Sequence, residues 1–123
     1  MSDEKVNLQK KFELFSDHWN PKIVGELNGQ FVKLAKIEGE FDWHAHEQED
    51  ELFMVIQGAL TIKLRDRDIQ LKEGEFFIVP KGVEHKPVAE QECWVMLFEP
   101  KETGHTGNLQ TDRTVAIENQ QWI

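Results

Sequence analysis

The sequence is poor in cysteine and in basic residues, and each shortage excludes a class of protein. Cys93 is the only cysteine among the 123 residues, so an intrachain disulfide is excluded. It lies in the apolar run Cys93–Phe98, which predicts a buried structural thiol. Fourteen Lys and Arg stand against 23 Asp and Glu, giving a net charge of -9 at pH 7. Nucleic acid is therefore not expected as a partner, because binding a phosphate backbone needs basic patches.

Long apolar runs are also missing. No stretch approaches the roughly 20 apolar residues that span a bilayer, so no membrane association is expected. The first residues, Met1-Ser2-Asp3-Glu4-Lys5, are charged and lack the apolar run of a signal peptide. We therefore expect a cytoplasmic protein, and its mass of 14.4 kDa is that of one domain.

A helical period of 3.6 is absent between Lys22 and Pro100, where short apolar or alternating runs are separated by Gly, Asn, Asp and Pro. This pattern predicts an all-β sandwich or barrel. Asn28-Gly29 predicts a tight hairpin turn, because both positions tolerate positive φ. The predicted strands are Lys22 to Leu27, Gln30 to Ile37, Phe41 to His46, Glu51 to Ile56, Leu60 to Arg65, Ile69 to Leu71, Phe76 to Val79 and Trp94 to Phe98.

The chain is predicted to consist of three parts: an N-terminal arm (residues 1–21), a barrel (22–100) and a polar C-terminal tail (101–123) that packs on or near the barrel. In the arm, Phe12, Leu14 and Phe15 fit either an edge strand or one face of a helical turn, and the sequence leaves both open. The tail is polar and rich in turn-forming residues, which favours a loop or extended segment.

Four residues have the spacing of a metal site: His44, His46, Glu51 and His85. Residues two apart on a strand share a face, so we expect the imidazoles of His44 and His46 to point to one ion. Glu51 opens the next predicted strand, and His85 follows the turn Pro80-Lys81-Gly82. Three imidazoles and a carboxylate favour one divalent transition metal, Fe, Mn, Ni, Cu or Zn, over Ca or Mg. Asp50 is the alternative acid, but on a strand it would face the other way.

The surroundings of these residues are predicted by strand parity alone. Trp43 precedes the first ligand and is expected in the core or an interface. Lys81 and Lys86 flank His85 and are either solvated or able to attract an anionic substrate. His18 and His105 lie outside the spacing pattern and are expected at the surface. Residues that line a pocket wall or fill the core are predicted to be Phe53, Val55, Phe76 and Ile78.

The spacing resembles the cupin superfamily, whose motifs are written G-x5-H-x-H-x3,4-E-x6-G and G-x5-P-x-G-x2-H-x3-N. The chain departs from them twice: Gly39 is one residue closer to His44 than usual, and Ala89 stands where the final Asn is expected. The similarity covers about residues 30 to 98. The first motif is carried by Gly39, His44, His46, Glu51 and Gly58, and the second by Gly74, Pro80, Gly82 and His85.

The resemblance implies a double-stranded β-helix of six to eight strands in which the three histidines and Glu51 hold the metal. It also implies a homodimer, and the predicted strand Trp94 to Phe98, apolar on both faces, agrees with a covered outer face. Two functions stay open. One is a metal-dependent enzyme, a dioxygenase or an isomerase, acting on a small organic molecule; the other is a non-catalytic module that binds or senses a small ligand. The sequence shows no second titratable residue placed as a general base.

Overall fold

The computed structural model describes residues 4–104, 107 and 119–123, and these form strands with one short helix. The all-β fold class is confirmed. In chain order the elements are α1 (Leu8–Phe12), β1 (Lys22–Leu27), β2 (Gln30–Glu40), β3 (Glu51–Gln57), β4 (Ala59–Leu64), β5 (Asp68–Lys72), β6 (Phe76–Val79), β7 (His85–Pro100) and β8 (Gln121–Trp122).

Strand β7 organises the sheet, whose order is β5-β4-β7-β2-β1-β8. One edge of β7 pairs with β2, and its other edge pairs first with β4 and then with β3, which in turn pairs with β6. All of these pairings are antiparallel. The predicted hairpin is confirmed, because Asn28 and Gly29 both have positive φ and connect β1 to β2.

Of the two conformations predicted for the N-terminal arm, an edge strand or a helical turn, the structure has the helical turn. Asn7 caps α1 by accepting a hydrogen bond from the backbone N–H of Lys10. Phe12 is fully buried and stacks on Trp94, whereas Leu14 is 65% exposed. The arm therefore covers part of the outer sheet face. Among the described residues, no helix has the length and apolarity to cross a bilayer.

The predicted strand Phe41 to His46 is wrong. The segment is irregular, and it has one bridge, between His44 and His85, in which each residue donates its N–H to the other's carbonyl oxygen. The segment then continues into the polar turn 47–50 and not into a ladder. His44 and His46 are consequently positioned by this bridge and by loop contacts, and not by strand parity.

The barrel interior is filled by apolar side chains from β2, β3, β4 and β7, among them Ile37, Val55, Ile62 and Val95. Phe53 and Val55 are buried there, as predicted. Phe76 and Ile78 are 56% and 47% exposed, so their predicted placement is wrong. The pairing of β3 with β6 explains this result: Phe76 and Ile78 lie opposite Met54 and Leu52, on the face that points away from the interior.

Candidate metal centre

The structure brings the four predicted ligands together. His44, His46, Glu51 and His85 each offer one ligand atom, and these atoms all lie within 4.8 Å of one another. All four residues are buried, with exposed fractions between 0% and 5%. A buried set of three imidazoles and a carboxylate has the donors that divalent transition metals prefer.

Backbone hydrogen bonds fix the segments that carry the ligands. The bridge between His44 and His85 joins the two sequence motifs. The backbone N–H of Gly82 donates to the carbonyl oxygen of His46, at a distance of 2.7 Å. Gly82 has a φ of 78°, which an L side chain rarely adopts. The turn before β7 thus positions His46 as well as His85.

The ring orientations leave a nitrogen available for a metal. Nδ1 of His44 lies 2.8 Å from the carbonyl oxygen of Asp42, and Nδ1 of His85 lies 2.9 Å from that of Val83. Because a carbonyl only accepts, each Nδ1 carries the proton and each Nε2 keeps its lone pair. Such a carbonyl contact is the usual way in which a metal-binding histidine is oriented.

Glu51 dominates the charge of the site. Its Oε1 lies 3.3 Å from Nε2 of His46 and 3.5 Å from Nε2 of His85. Burial disfavours the charged carboxylate, but its polar contacts with Glu99 and the two histidines outweigh burial and hold the pKa of Glu51 well below its usual range. Burial alone would lower the pKa of His46, but the contact with Glu51 outweighs burial, so the pKa is raised above its ordinary value. Burial and the neighbouring His85 lower the pKa of His44 to about 4.

The residues fit a metal because polar atoms in the cluster are buried without hydrogen-bond partners among the described residues. These atoms are both ring nitrogens of His46, Oε1 of Glu51 and Nε2 of His85. Leaving a buried polar atom unsatisfied costs about 1–3 kcal/mol, so several in one cluster point to a missing partner. A cation at the centre would satisfy them together, and Nε2 of His44 faces the same group.

Sequence reasoning missed a second polar layer beside the cluster. Lys33 on β2 and Glu99 on β7 form an ion pair of 2.8 Å, with side chains only 1% and 3% exposed. Burial and the negative charge of Glu51 raise the pKa of Glu99 well above its ordinary value. The sequence signal was parity: Glu99 is two residues from Leu97 and four from Val95, so it belongs to the inward face.

An apolar cavity of about 40 Å³ adjoins the cluster. Polar lining comes from His44 and Glu51 alone, and no Lys or Arg lines it among the described residues. The ring of Phe41 meets the ring of His44 edge-on, with centroids 5.3 Å apart. The remaining lining residues are apolar: Trp19, Pro21, Ala35, Ile37, Phe53, Pro87, Val95 and Leu97.

Gly107 of the C-terminal tail lies against the ligand-bearing loop. A Cβ atom at this position would overlap the carbonyl oxygen of Ala45 and would lie 3.3 Å from Cδ2 of His44. Gly107 can therefore lie this close to the loop because it has no side chain. His105, predicted at the surface, lies outside the described residues.

The alternative acidic ligand has another contact. Oδ1 of Asp50 accepts a hydrogen bond of 2.8 Å from the backbone N–H of Lys81, and Asp50 is exposed, so it is not part of the cluster. Trp43 is half-buried, and Cζ of Arg65 lies 3.8 Å from its ring centroid. Trp43 thus contacts a surface arginine and does not line the apolar cavity.

The remaining predicted residues lie outside the centre. Nζ of Lys86 is paired with Glu40 at 2.6 Å, whereas the side chain of Lys81 is exposed. His18 is at the surface, as predicted, and its Nε2 contacts Glu92 at 2.8 Å. Cys93 is fully buried, and burial raises the pKa of its thiol to about 12. The prediction of an inert structural thiol is consistent with that environment.

Comparison with solved structures shows the same fold elsewhere. A cupin-2 domain containing protein from Shewanella frigidimarina is 49% identical, with 77% of this chain and 93% of that one covered and a TM-score of 0.76. Protein NMB1881 from Neisseria meningitidis is 30% identical, with coverages of 79% and 99% and a TM-score of 0.73.

Curated relatives match over shorter parts of their length. The uncharacterized protein YdbB of Bacillus subtilis is 41% identical over 64 residues, 51% of this chain and 57% of the relative. The 3-hydroxyanthranilate 3,4-dioxygenase of Xenopus laevis is 26% identical over 102 residues, which cover 76% of this chain and 36% of that enzyme. The family model of the cupin domain matches residues 30–99, more than half of the sequence. The chain belongs to the cupin domain family.

Proposed function

We propose that this protein is a metal-dependent enzyme of the dioxygenase type that acts on a small organic molecule. The observation that carries the proposal is that the buried cluster adjoins an apolar cavity, with His44 and Glu51 in the cavity wall. A purely structural metal site has no need of a neighbouring cavity, whereas a catalytic site needs room for a substrate beside the ion.

The residues divide into two roles. His44, His46, Glu51 and His85 would hold one divalent transition metal, and the carbonyl contacts of His44 and His85 would keep those rings oriented. When bound, a redox-active ion such as Fe(II) with open coordination positions can activate dioxygen. The apolar lining would orient the substrate and exclude water.

The cavity lining favours a dioxygenase over an isomerase. Proton transfer in an isomerase needs a positioned acid or base, and the described cavity lining offers no titratable side chain apart from His44 and Glu51, which are committed to the metal. Similarity to curated 3-hydroxyanthranilate 3,4-dioxygenases supports the same choice.

The test is dioxygen uptake. Protein reconstituted anaerobically with Fe(II) should consume dioxygen when a set of catechols and aminophenols is supplied, and the His46→Ala variant should lose at least about 99% of that rate, since removing a ligand typically disables the metal. The His18→Ala variant is the matched control, because His18 lies outside the cluster. Inertness of the iron-loaded protein towards all of these compounds would contradict the proposal.

A non-catalytic module is the second candidate, and the missing acid or base in the described cavity lining favours it. This candidate predicts a small organic ligand that co-purifies with the protein and is released on denaturation without having been altered. Mass spectrometry of the extract, before and after incubation with dioxygen, separates the two candidates.

We also propose that the protein is a homodimer joined through its outer sheet face. On that face, antiparallel pairing aligns Val32, Phe98, Leu52 and Ile78 in one row, and Met96, Met54 and Phe76 in the next. Helix α1 covers the β2 end of these rows, whereas Phe76 and Ile78 are exposed. A contiguous apolar patch of this kind marks an association surface.

Acidic substitutions on this outer face test the dimer. Phe76→Asp together with Ile78→Asp should convert the protein to a monomer, because two carboxylates would have to be desolvated in the interface. The control is Leu14→Asp, which changes a residue of the N-terminal arm that is more exposed than Phe76 and Ile78. Light scattering coupled to gel filtration gives the mass, and a wild-type mass near 14 kDa would refute the proposed dimer.

A further inference from the structure

Trp19 occupies a place in the N-terminal arm that no sequence motif indicated. Its φ is 59°, a left-handed backbone conformation that is rare for a bulky residue and that persists only when its surroundings hold it. Its backbone N–H donates to the carbonyl oxygen of Lys36, and its Nε1–H donates to the carbonyl oxygen of Glu38. Both donor–acceptor distances are 3.0 Å. The backbone of β2 therefore holds the indole in one orientation.

That orientation places the indole at the cavity beside the candidate metal centre. Trp19 lines the cavity and stacks on Phe41, with centroids 4.7 Å apart and an angle of 18° between the rings. Phe41 in turn meets the ring of His44. Three aromatic rings thus run from the arm to a metal ligand, and the arm forms part of the wall of the candidate site.

The volume of the cavity limits the ligands that fit beside the indole. At about 40 Å³ the cavity holds a few water molecules at most. A cavity of roughly 150 Å³ is known to accept benzene. A ring-sized ligand consequently needs space that lining side chains now take. Trp19 and Pro21 are the lining residues that come from the N-terminal arm, and Trp19 has the larger side chain.

The charges of the lining restrict the ligand further. A carboxylate or phosphate buried without a cationic partner is strongly disfavoured. In the metal-free protein, no Lys or Arg lines the cavity among the described residues to act as that partner. Nearby, the ammonium of Lys33 is already paired with Glu99. The favoured ligand has an apolar ring and an uncharged polar group that faces His44 and Glu51.

We infer that Trp19 is the specificity-determining residue of this site and that it restricts the site to single-ring compounds, while the lining of the metal-free protein disfavours charged ones. The inference rests on the proposed function in so far as it concerns the same cavity. A ligand would enter by displacing the indole from Phe41, and the extent of that displacement would limit the size of the ligand.

Binding measurements test the inference without turnover. Calorimetric titrations of the full-length metal-free protein with phenol, 2-naphthol and benzoate compare ring size and charge. Wild-type protein should bind phenol at least about tenfold more tightly than benzoate, and it should bind 2-naphthol more weakly than phenol. In Trp19→Ala the ratio of naphthol affinity to phenol affinity should rise by about tenfold or more, since one methylene in a pocket already discriminates by roughly that factor.

Two further variants keep the test decisive. Trp19→Phe retains an aromatic ring and should give an intermediate ratio, so it replaces Trp19→Ala if the alanine variant does not fold. Trp43→Ala removes an indole that lies outside the cavity, and it should leave the ratio unchanged. The inference is overturned if the ratio is the same in wild type and both Trp19 variants, if benzoate binds as well as phenol, or if no probe binds any folded variant.

The failure of the inference and that of the proposed function are distinguishable. Size selectivity that depends on Trp19, in a protein that never consumes dioxygen, would contradict the dioxygenase proposal and support the inference. Dioxygen uptake combined with a selectivity that Trp19 does not influence would support the dioxygenase proposal and contradict the inference.

Discussion

Replacing Glu99 with leucine is expected to lower the free energy of unfolding by about 3–5 kcal/mol. Glu99 accepts the 2.8 Å contact of the Lys33 ammonium, and both side chains are almost fully buried. Without Glu99, the ammonium of Lys33 remains in the interior without the carboxyl group that it contacts. Domains of this size are stable by only about 5–15 kcal/mol, so the loss would be close to unfolding the protein. Urea denaturation followed by circular dichroism measures it.

The double variant Lys33→Met/Glu99→Leu separates the charge effect from packing. Exchanging both members of a buried pair for apolar residues of similar volume is often neutral or stabilising, so the double variant should recover most of the stability lost by Glu99→Leu. Glu99→Gln keeps an acceptor for Lys33 and should cost less than Glu99→Leu. Surface substitutions usually change the free energy of unfolding by no more than about 0.5 kcal/mol. An effect of Glu99→Leu within that range would show that Lys33 does not need this partner.

Saturation with Zn(II) is expected to raise the Tm of the metal-free protein by roughly 10 °C. A ligand at 100 times its Kd stabilises by about 2.7 kcal/mol, and about 1 kcal/mol moves the Tm of a domain of this size by several degrees. The physical reason is the group of buried ligand atoms without hydrogen-bond partners among the described residues. Differential scanning fluorimetry at fixed protein concentration measures the shift, and zinc avoids redox chemistry.

The variants that check this result come from the histidines. His44→Ala should abolish the rise in Tm, whereas His18→Ala should retain it, because His18 is a surface residue paired with Glu92. An equal rise in His44→Ala would mean that zinc binds elsewhere. The absence of any rise with Fe(II), Mn(II), Ni(II), Cu(II) and Zn(II) would contradict the metal centre altogether.

The rise in Tm should also depend on pH in a defined direction. A metal binds neutral imidazole, and His44 is neutral at physiological pH because its pKa is about 4. Glu51 raises the pKa of His46, so protons compete with the metal at His46 up to a higher pH than at a free imidazole. The metal-dependent rise should therefore shrink as the pH falls through the pKa of His46.

The regular parts of this fold could be predicted because their sequence patterns are local. Alternating residues predicted β3 and β6, and Asn28-Gly29 predicted the first hairpin. The segment 41–46 could not be predicted in the same way. Its alternation imitates a strand, but its conformation depends on backbone hydrogen bonds to residues distant in sequence, among them the bridge from His44 to His85. The four candidate ligands nevertheless lie together, as predicted, since their spacing belongs to the motifs and does not depend on the strand.

The residues around the centre were harder to predict, because they depend on register between strands. Phe76 and Ile78 were assigned to the wrong face, since parity within β6 does not show which residues of β3 it pairs with. Lys33 and Glu99 were missed because a polar residue on an inward face is a weak signal until its partner is known. Trp19 gave no signal, since its position depends on hydrogen bonds to β2.

The architecture of β7 has a consequence for folding kinetics. This strand begins with His85 and carries Glu99 one residue before its end, and it pairs with β2, β3 and β4, which are far from it in sequence. Contacts of such long range are formed slowly, because loop closure precedes any gain in pairing. His85 can reach His44, His46 and Glu51 only in molecules in which β7 has docked. A metal ion added to the unfolded chain would consequently stabilise the folded state after β7 has docked. It would not accelerate the early steps of folding.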